Sequence, residues 1–223
     1  MSDAYAPAPK PSFRLVPSQF PPIGLFDTVA RAADLEAAME LAGWTNDRLV
    51  AERIARLPQA EWVYGRANAS IVMAAFLHGA AGGMRFSGPE LGAWYAAASL
   101  TTAVAEVAHH LRREAVATGA ATIRRKFRTY TTALSGSYLD IRGQQAARPD
   151  VYASDSYAAS QVLGESIRLS GGDGLLFDSL RHAGGSNVVA HHPSNVLDVV
   201  QADHYEIQTH AVGRRIDVKT LAA

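Results

Sequence analysis

The sequence predicts an α+β fold: a mixed β-sheet core with flanking helices, preceded by a helical N-terminal extension. Two observations carry this. Helical periodicities and short apolar runs are interspersed along the chain, without the regular strand–helix alternation of a doubly wound sheet. Hydrophobic residues make up 48% and charged residues 19% of 223 residues, which fills one sizeable core but is cramped for two full domains.

The elements follow in chain order. Residues 1–12 carry Pro7, Pro9 and Pro11 and read as a disordered tail. Phe13 to Pro22 reads as extended, because Pro17, Pro21 and Pro22 block helix. Residues 13–60 then form the helical extension. Asp27 to Leu41 is one predicted helix, and Asp47 to Leu57, capped by Thr45 or Asn46 and closed by Pro58, is the next. Residues 61–223 form the main domain. Trp62 to Tyr64 reads as a short strand, and Asn68 or Ser70 starts an apolar helix from Ile71 to His78. Ala93 to Ala97 is a short buried strand. Ser99 caps a long helix to about Thr118, whose Val104, Val107, Ala108 and Leu111 form the buried stripe. Arg124 to Leu134 is a strand and Asp155 to Leu169 a helix. Leu175 to Phe177 and Val188 to Ala190 are core strands, with Gly184 to Asn187 a turn between them. Tyr205 to Thr209 and Arg215 to Val218 make a terminal hairpin.

Composition excludes several functions. The chain has no cysteine, so disulfides, thiolate metal sites and cysteine nucleophiles are out. No HxxxH or HExxH occurs, and the adjacent pairs His109-His110 and His191-His192 point in different directions, so no metal is expected. Lys+Arg and Asp+Glu are both 21, a balance that opposes direct nucleic-acid binding. The local run Arg124, Arg125, Lys126, Arg128 reads as a solvated strand face. The N-terminus has no apolar signal core and no apolar run reaches membrane length, so a soluble, cytoplasmic protein is expected.

The candidate site residues each fit two readings. Glu106 lies opposite the apolar stripe of its helix, beside Ser99, Thr102, His109, His110 and Arg113. It is either an exposed glutamate paired to His110, or a carboxylate lining a cleft. Arg85, between glycines in GGMRFSG, is a surface loop arginine or a phosphate grip. Those glycines match neither a P-loop nor GxGxxG. Of Trp94 and Tyr95, one is core, and strand alternation then turns the other to the opposite face. Arg66 is a second phosphate clamp or a plain surface charge. Ser179 sits in LLFDSLR without the GxSxG elbow of a hydrolase nucleophile.

Taken together, five segments resemble the RES domain family from about Phe13 to about Asn195: FPPIGLFDTVA, GWTNDRL, VYGRANASIVMAAFLH, GMRFSGPELGAWYAAASLTTAVAEVAHH and GLLFDSLRHAGGSNVVAHHP. The fourth is the most specific, placing Arg85, Tyr95 and Glu106 in the order and spacing of the family's polar constellation. Ser179 maps to the family serine. The family's late histidine maps to His192, with His191 the rival. The usual Trp-Asn after the motif arginine is here Phe86-Ser87.

The resemblance implies an ADP-ribosyltransferase-like fold over residues 61–223 and the toxin of a type II toxin–antitoxin pair that consumes NAD⁺. The implied reaction would be phosphorolysis or hydrolysis of the nicotinamide–ribose bond, with inorganic phosphate as co-substrate in the first case. Protein mono-ADP-ribosylation and a non-catalytic antitoxin-binding module are the alternatives. Glu106, Arg85, Tyr95 and Ser179 would be catalytic, and Arg66, Arg85, Tyr95, Ser179, Asn187 and His192 would bind NAD⁺. The implied partner is an Xre-like helix-turn-helix antitoxin covering the active site, with DNA reached only through it.

Overall fold

The computed structural model describes residues 4–19, 24, 26–29, 31, 34, 37, 53 and 55–222. The described residues form one nine-stranded mixed sheet and three helices, an α+β fold. The strands are β1 (Tyr5–Ala6), β2 (Ser12–Pro17), β3 (Trp94–Ala97), β4 (Thr122–Leu134), β5 (Tyr138–Asp140), β6 (Gly174–Asp178), β7 (Ser186–Ala190), β8 (Val196–His210) and β9 (Ile216–Leu221). The helices are α1 (Ala69–Leu77), α2 (Leu100–Thr118) and α3 (Ala158–Leu169). Sheet order is β1-β5-β6-β7-β3-β2-β4-β8-β9, antiparallel except for the β5–β6 pair. Among the described residues no helix is long and apolar enough to cross a membrane.

Strand alternation divides the core. On β6 and β7, Leu176, Val188 and Ala190 face α1, packing with Val72, Met73, Phe76 and Trp94. Leu175, Phe177 and Val189 face the other way, onto Phe86, Ile141 and residues of α3. A third cluster joins α2 to β4 and β8 through Ala108, Leu111, Phe127 and Ile207. Ser99 caps α2 as expected, its hydroxyl accepting the Thr102 N–H at 3.2 Å. Val104 and Val107 pack only partly buried, so the stripe is deepest at Ala108, Leu111 and Ala115.

Several expectations are corrected. Residues 4–12 are not a free tail: Tyr5 and Ala6 pair with Leu139 and Tyr138, and the fully buried Ser12 opens β2. Nor does the extension end at residue 60 as a separate unit, because β2 lies inside the sheet between β3 and β4. The two helices expected between residues 27 and 57 fall mostly outside the described residues; residues 26–28 form a turn. Trp62 to Tyr64 is irregular and follows a 3-10 turn, Gln59–Glu61. Asn68 is the N-cap residue of α1, as expected, but its side chain makes no capping hydrogen bond. Asp27 supplies the acceptor from a distance, taking the Ser70 N–H at 2.8 Å and the Asn68 N–H at 3.0 Å. Helix α3 begins three residues late, and Ser186 and Asn187 belong to β7 rather than to the turn.

Strand β2 pairs with β4 at six positions but with β3 only at Phe13↔Ala97. The sheet splits beyond that pair, and the split opens a cleft.

Candidate active site

The cleft measures about 410 Å³. Phe13, Arg14 and Leu15 of β2 line one side, Tyr95 to Ala97 of β3 the other. Arg85, Tyr157, Glu106 and Asn187 also line it.

Glu106 is the centre of its polar network. One carboxylate oxygen, Oε1, accepts from Ser179 Oγ at 2.7 Å and from Asn187 Nδ2 at 2.8 Å. Three elements converge here: α2 brings the glutamate, the end of β6 the serine and the start of β7 the asparagine. The second oxygen, Oε2, has no hydrogen bond among the described residues. The reading of Glu106 as a plain exposed side chain therefore fails.

The local chain dictates the role of Ser179. Its oxygen accepts the backbone N–H groups of Arg181 at 3.1 Å and His182 at 3.0 Å. Both lone pairs are thus engaged, and the hydroxyl proton goes to Glu106. Such a serine orients a carboxylate; it is not poised to attack.

Arg85 sits in a loop that α3 holds in place. Gln161 Nε2 donates to the Gly82 and Met84 carbonyls, and Gly88 N–H donates to Glu165 Oε1 at 2.7 Å. Gly164 lets helix and loop touch, since a Cβ there would stand 2.1 Å from the Phe86 oxygen. Arg85 Nη1 donates to the carbonyls of Val151 and Ala153, and its guanidinium lies 4.8 Å from the Tyr157 ring centroid. The guanidinium edge not used on those carbonyls remains for a ligand.

Trp94 is fully buried and Tyr95 lines the cleft, as alternation requires. The Tyr95 hydroxyl is already occupied: it accepts the Phe86 N–H at 3.0 Å and pairs with Ser87 Oγ at 3.0 Å. Burial pushes its pKa up to about 12, so it stays protonated. Tyr95 therefore ties the Arg85 loop to the sheet and offers the cleft its ring. Phe86-Ser87 keeps this tie through a backbone N–H and a hydroxyl.

The remaining expected residues lie elsewhere. Arg66 does not line the cleft; its Nη2 donates to the Val196 carbonyl at 2.7 Å. His192 pairs through Nδ1 with Glu61 Oε1 at 3.1 Å, also outside the cleft. His191 is buried, its Nε2 3.2 Å from the Phe86 carbonyl. Burial, then the nearby Arg168 charge, lowers its pKa to about 3, so it is a neutral packing residue behind the loop. His109 beside Glu106 is likewise held down, to about 4, by burial and then by Arg181. The basic run on β4 is largely spent on the surface: Arg125 makes a two-pronged pair with Glu114, and Arg124 binds Gln208.

Sequence reasoning missed Arg14, Tyr157 and the α3 residues Gln161 and Glu165. The first had a signal: a lone arginine alternating with Phe13 and Leu15 on a strand. The α3 residues had one too, since 161, 164 and 165 share a helix face.

No curated protein matches the chain significantly. Among solved structures, the chain is similar to one from the M. tuberculosis MbcT–MbcA toxin–antitoxin complex. The two share 18% identity over 55% of this chain and 73% of that one, with a TM-score of 0.39. The RES domain model matches residues 53–210, well over half of the sequence and all of Arg85, Tyr95, Glu106, Ser179 and Asn187. The chain belongs to the RES domain family.

Proposed function

We propose that this protein cleaves the nicotinamide–ribose bond of NAD⁺, by phosphorolysis or hydrolysis, as the toxin of a toxin–antitoxin pair. One observation carries the chemistry: a glutamate in a cleft with one oxygen pinned by two neutral donors and the other free. Breaking the bond builds oxocarbenium character on the ribose, and the bonding electrons leave with nicotinamide, which becomes neutral. A carboxylate fixed beside the ribose stabilises the positive charge as it develops, with no reorganisation at that moment. Ser179 and Asn187 fix Glu106, and Glu106 Oε2 meets the ribose. The ring of Tyr95 and the unused edge of Arg85 hold the nicotinamide ribose and its phosphate. Phosphate or water then adds to the ribose carbon from the open side of the cleft.

Family membership supports the rest of the reading. We take the split sheet as ADP-ribosyltransferase-like, the enzyme as acting in the cytoplasm, and its partner as a helix-turn-helix antitoxin that covers the cleft. Arg66 and His192 have no part in it, since both are engaged outside the cleft.

The test is direct. Purified protein, freed of any partner, is incubated with NAD⁺ with and without inorganic phosphate, and free nicotinamide is followed. Phosphate-dependent release with a phosphorylated ADP-ribose product establishes phosphorolysis. Phosphate-independent release with free ADP-ribose establishes hydrolysis, and labelled protein would replace both by mono-ADP-ribosylation. No release from folded protein, even with cell extract added as a source of acceptors, refutes the enzymatic reading in favour of a non-catalytic antitoxin-binding module.

A further inference from the structure

We infer that Arg181, together with His109 and His110 of α2, forms a subsite for inorganic phosphate, the anion that attacks the ribose. The inference rests on the NAD⁺-cleaving reading of the adjoining cleft and selects phosphorolysis within it. It gives a task to a second, smaller cavity. That cavity lies between α2 and the turn after β6 and measures about 30 Å³. His109, Leu180 and Arg181 line it and do not line the main cleft. Arg85, Glu106 and His110 line both, so the recess meets the cleft at the glutamate. A single water needs about 10–15 Å³. The recess therefore takes an acceptor of a few atoms and has no room for a stretch of polypeptide.

Charge selects the kind of acceptor. Arg125 pairs with Glu114, Arg142 with Asp140 and Arg168 with Glu165. The Arg181 side chain makes no hydrogen bond or ion pair among the described residues. Two acidic groups line the recess, Glu106 and Asp178. Asp178 is committed: its Oδ2 accepts the Gly143 N–H at 2.7 Å and the Tyr152 hydroxyl at 3.4 Å. Arg85 adds a second positive charge to the wall. Burial first, and then the Arg181 charge, hold His109 down to about 4, so its imidazole is neutral. An attacking water needs no such cations. A phosphate dianion does, because it must come up beside the Glu106 carboxylate, and cations around it offset that repulsion.

Ser179 ties the cation to the carboxylate. Its oxygen accepts the Arg181 N–H at 3.1 Å while its hydroxyl donates to Glu106 at 2.7 Å. The turn carrying Arg181 is thus fixed to the residue it serves. A guanidinium fork matches two phosphate oxygens at once. The rings of His109 and His110 meet edge-on, with centroids 5.6 Å apart, and make no hydrogen bond among the described residues. Each neutral imidazole has one N–H to give to the anion. In the step, an oxygen of hydrogen phosphate gives an electron pair to the ribose carbon. The bond to nicotinamide breaks, and its pair leaves with nicotinamide. The phosphate proton stays on the monoester product. The competing account is that Arg181 is a solvated arginine of the turn with no ligand.

The two accounts part in kinetics. Wild type, Arg181→Gln, Arg181→Lys and Arg113→Gln are assayed for nicotinamide release, varying inorganic phosphate and NAD⁺ in turn at constant ionic strength. Arg113 is on the same helix as the histidines but does not line the recess, so its variant controls for loss of charge alone. Arg181→Gln is expected to raise KM for phosphate about 10- to 100-fold, the worth of a charge-assisted hydrogen bond or two. Its KM for NAD⁺ should stay within about threefold. Arg181→Lys should recover part of the loss, and Arg113→Gln should change KM for phosphate less than about twofold. An unchanged KM for phosphate in Arg181→Gln, or an equal rise in Arg113→Gln, overturns the assignment. A rise only in KM for NAD⁺ overturns it too, moving the anion to the diphosphate of the dinucleotide.

Thermal unfolding with inorganic phosphate, chloride replacing it in the control, needs no turnover and separates this inference from the cleavage reading. A bound anion raises the midpoint. A rise in wild type that is lost in Arg181→Gln, without nicotinamide release, upholds the subsite while the cleavage reading falls. Nicotinamide release indifferent to phosphate, with no response of the midpoint, does the reverse. The same scans without phosphate check that each variant is folded, and Arg181→Lys, which keeps the charge, carries the comparison if Arg181→Gln does not fold.

Discussion

Glu106 and Glu61 are both half-buried glutamates held by a serine, and they differ in what is left over. Glu61 is consumed on both oxygens: Oε2 takes the Ser194 hydroxyl at 2.6 Å and Oε1 faces His192 Nδ1 at 3.1 Å. Glu106 takes Ser179 and Asn187 on the same oxygen, lines the cleft, and has no hydrogen bond on the other oxygen among the described residues. A rich polar environment is therefore no sign of chemistry in itself. Glu61 is a clamp between the 3-10 turn and the segment before β8, whereas Glu106 is a fixed charge with an unused face.

Exchanging the two carboxylates breaks or upholds this contrast with the largest effect. Glu106→Gln should lower kcat/KM for nicotinamide release by about 10³-fold or more, with little change in thermal midpoint. Glu61→Ala should keep activity within about twofold and cost about 1 kcal/mol of stability. Equal loss of activity in the two variants would end the distinction.

Removing the groups that pin Glu106 tests the same idea one step out. Ser179→Ala leaves the carboxylate present but held by Asn187 alone. Activity should fall about 10- to 100-fold, mainly in kcat, because the lost donor acts on the charge that meets the transition state. Ser179→Cys, which has a better nucleophile in the same place, should not rescue it. Rescue by cysteine would mean that the serine attacks, contrary to its two accepted backbone bonds.

The neighbouring histidines extend the contrast to stability. His192 is on the Glu61 clamp, while His191 is buried neutral behind the Arg85 loop, its pKa lowered from the ordinary 6.5 to about 3. The unfolded chain therefore binds a proton at His191 that the folded chain refuses between those values. Stability from this group is complete above about pH 6.5 and is lost as the pH falls toward 3. From pH 7 to pH 5 the loss is about 2 kcal/mol. His191→Gln, which can still donate to the Phe86 carbonyl, should flatten that fall; an unchanged slope would assign it to other groups. Denaturant unfolding at both pH values reads it.

The sequence made the local parts of this picture legible and left the long-range parts hidden. Helix α2 was readable because its cap and its stripe are both local signals. Strand β3 was readable because WYAA is short, apolar and followed at once by the cap. Strand β1 and strand β5 were not, since two or three residues carry no period and their pairing spans more than 130 positions. The first half of β8, VLDVVQAD, was hidden because its residues face solvent on both sides of the strand for much of that stretch. The resemblance picked out Arg85, Tyr95, Glu106 and Ser179, but not how they are joined. Asn187 looked like a turn residue because Gly184 and Gly185 precede it. Arg66 and His192 lie outside the cleft, where arginine and histidine serve a backbone carbonyl and a structural carboxylate as readily as they serve ligands.

The smallest effect is expected at Tyr95, and it separates the ring from the hydroxyl. Tyr95→Phe keeps the ring in the cleft and removes the acceptor for the Phe86 N–H. A buried donor left unpaired costs about 1 kcal/mol. The Arg85 loop has other supports, in Gln161, Glu165 and the close contact at Gly164, so it should stay in place. KM for NAD⁺ should then rise only a few-fold, about what a loosened loop would cause, with kcat nearly unchanged. A collapse of kcat comparable to that of Glu106→Gln would show that the hydroxyl leaves the loop during turnover and meets the substrate itself. Tyr95 would then share with Glu106 the property that Glu61 lacks: a polar atom available to the reaction.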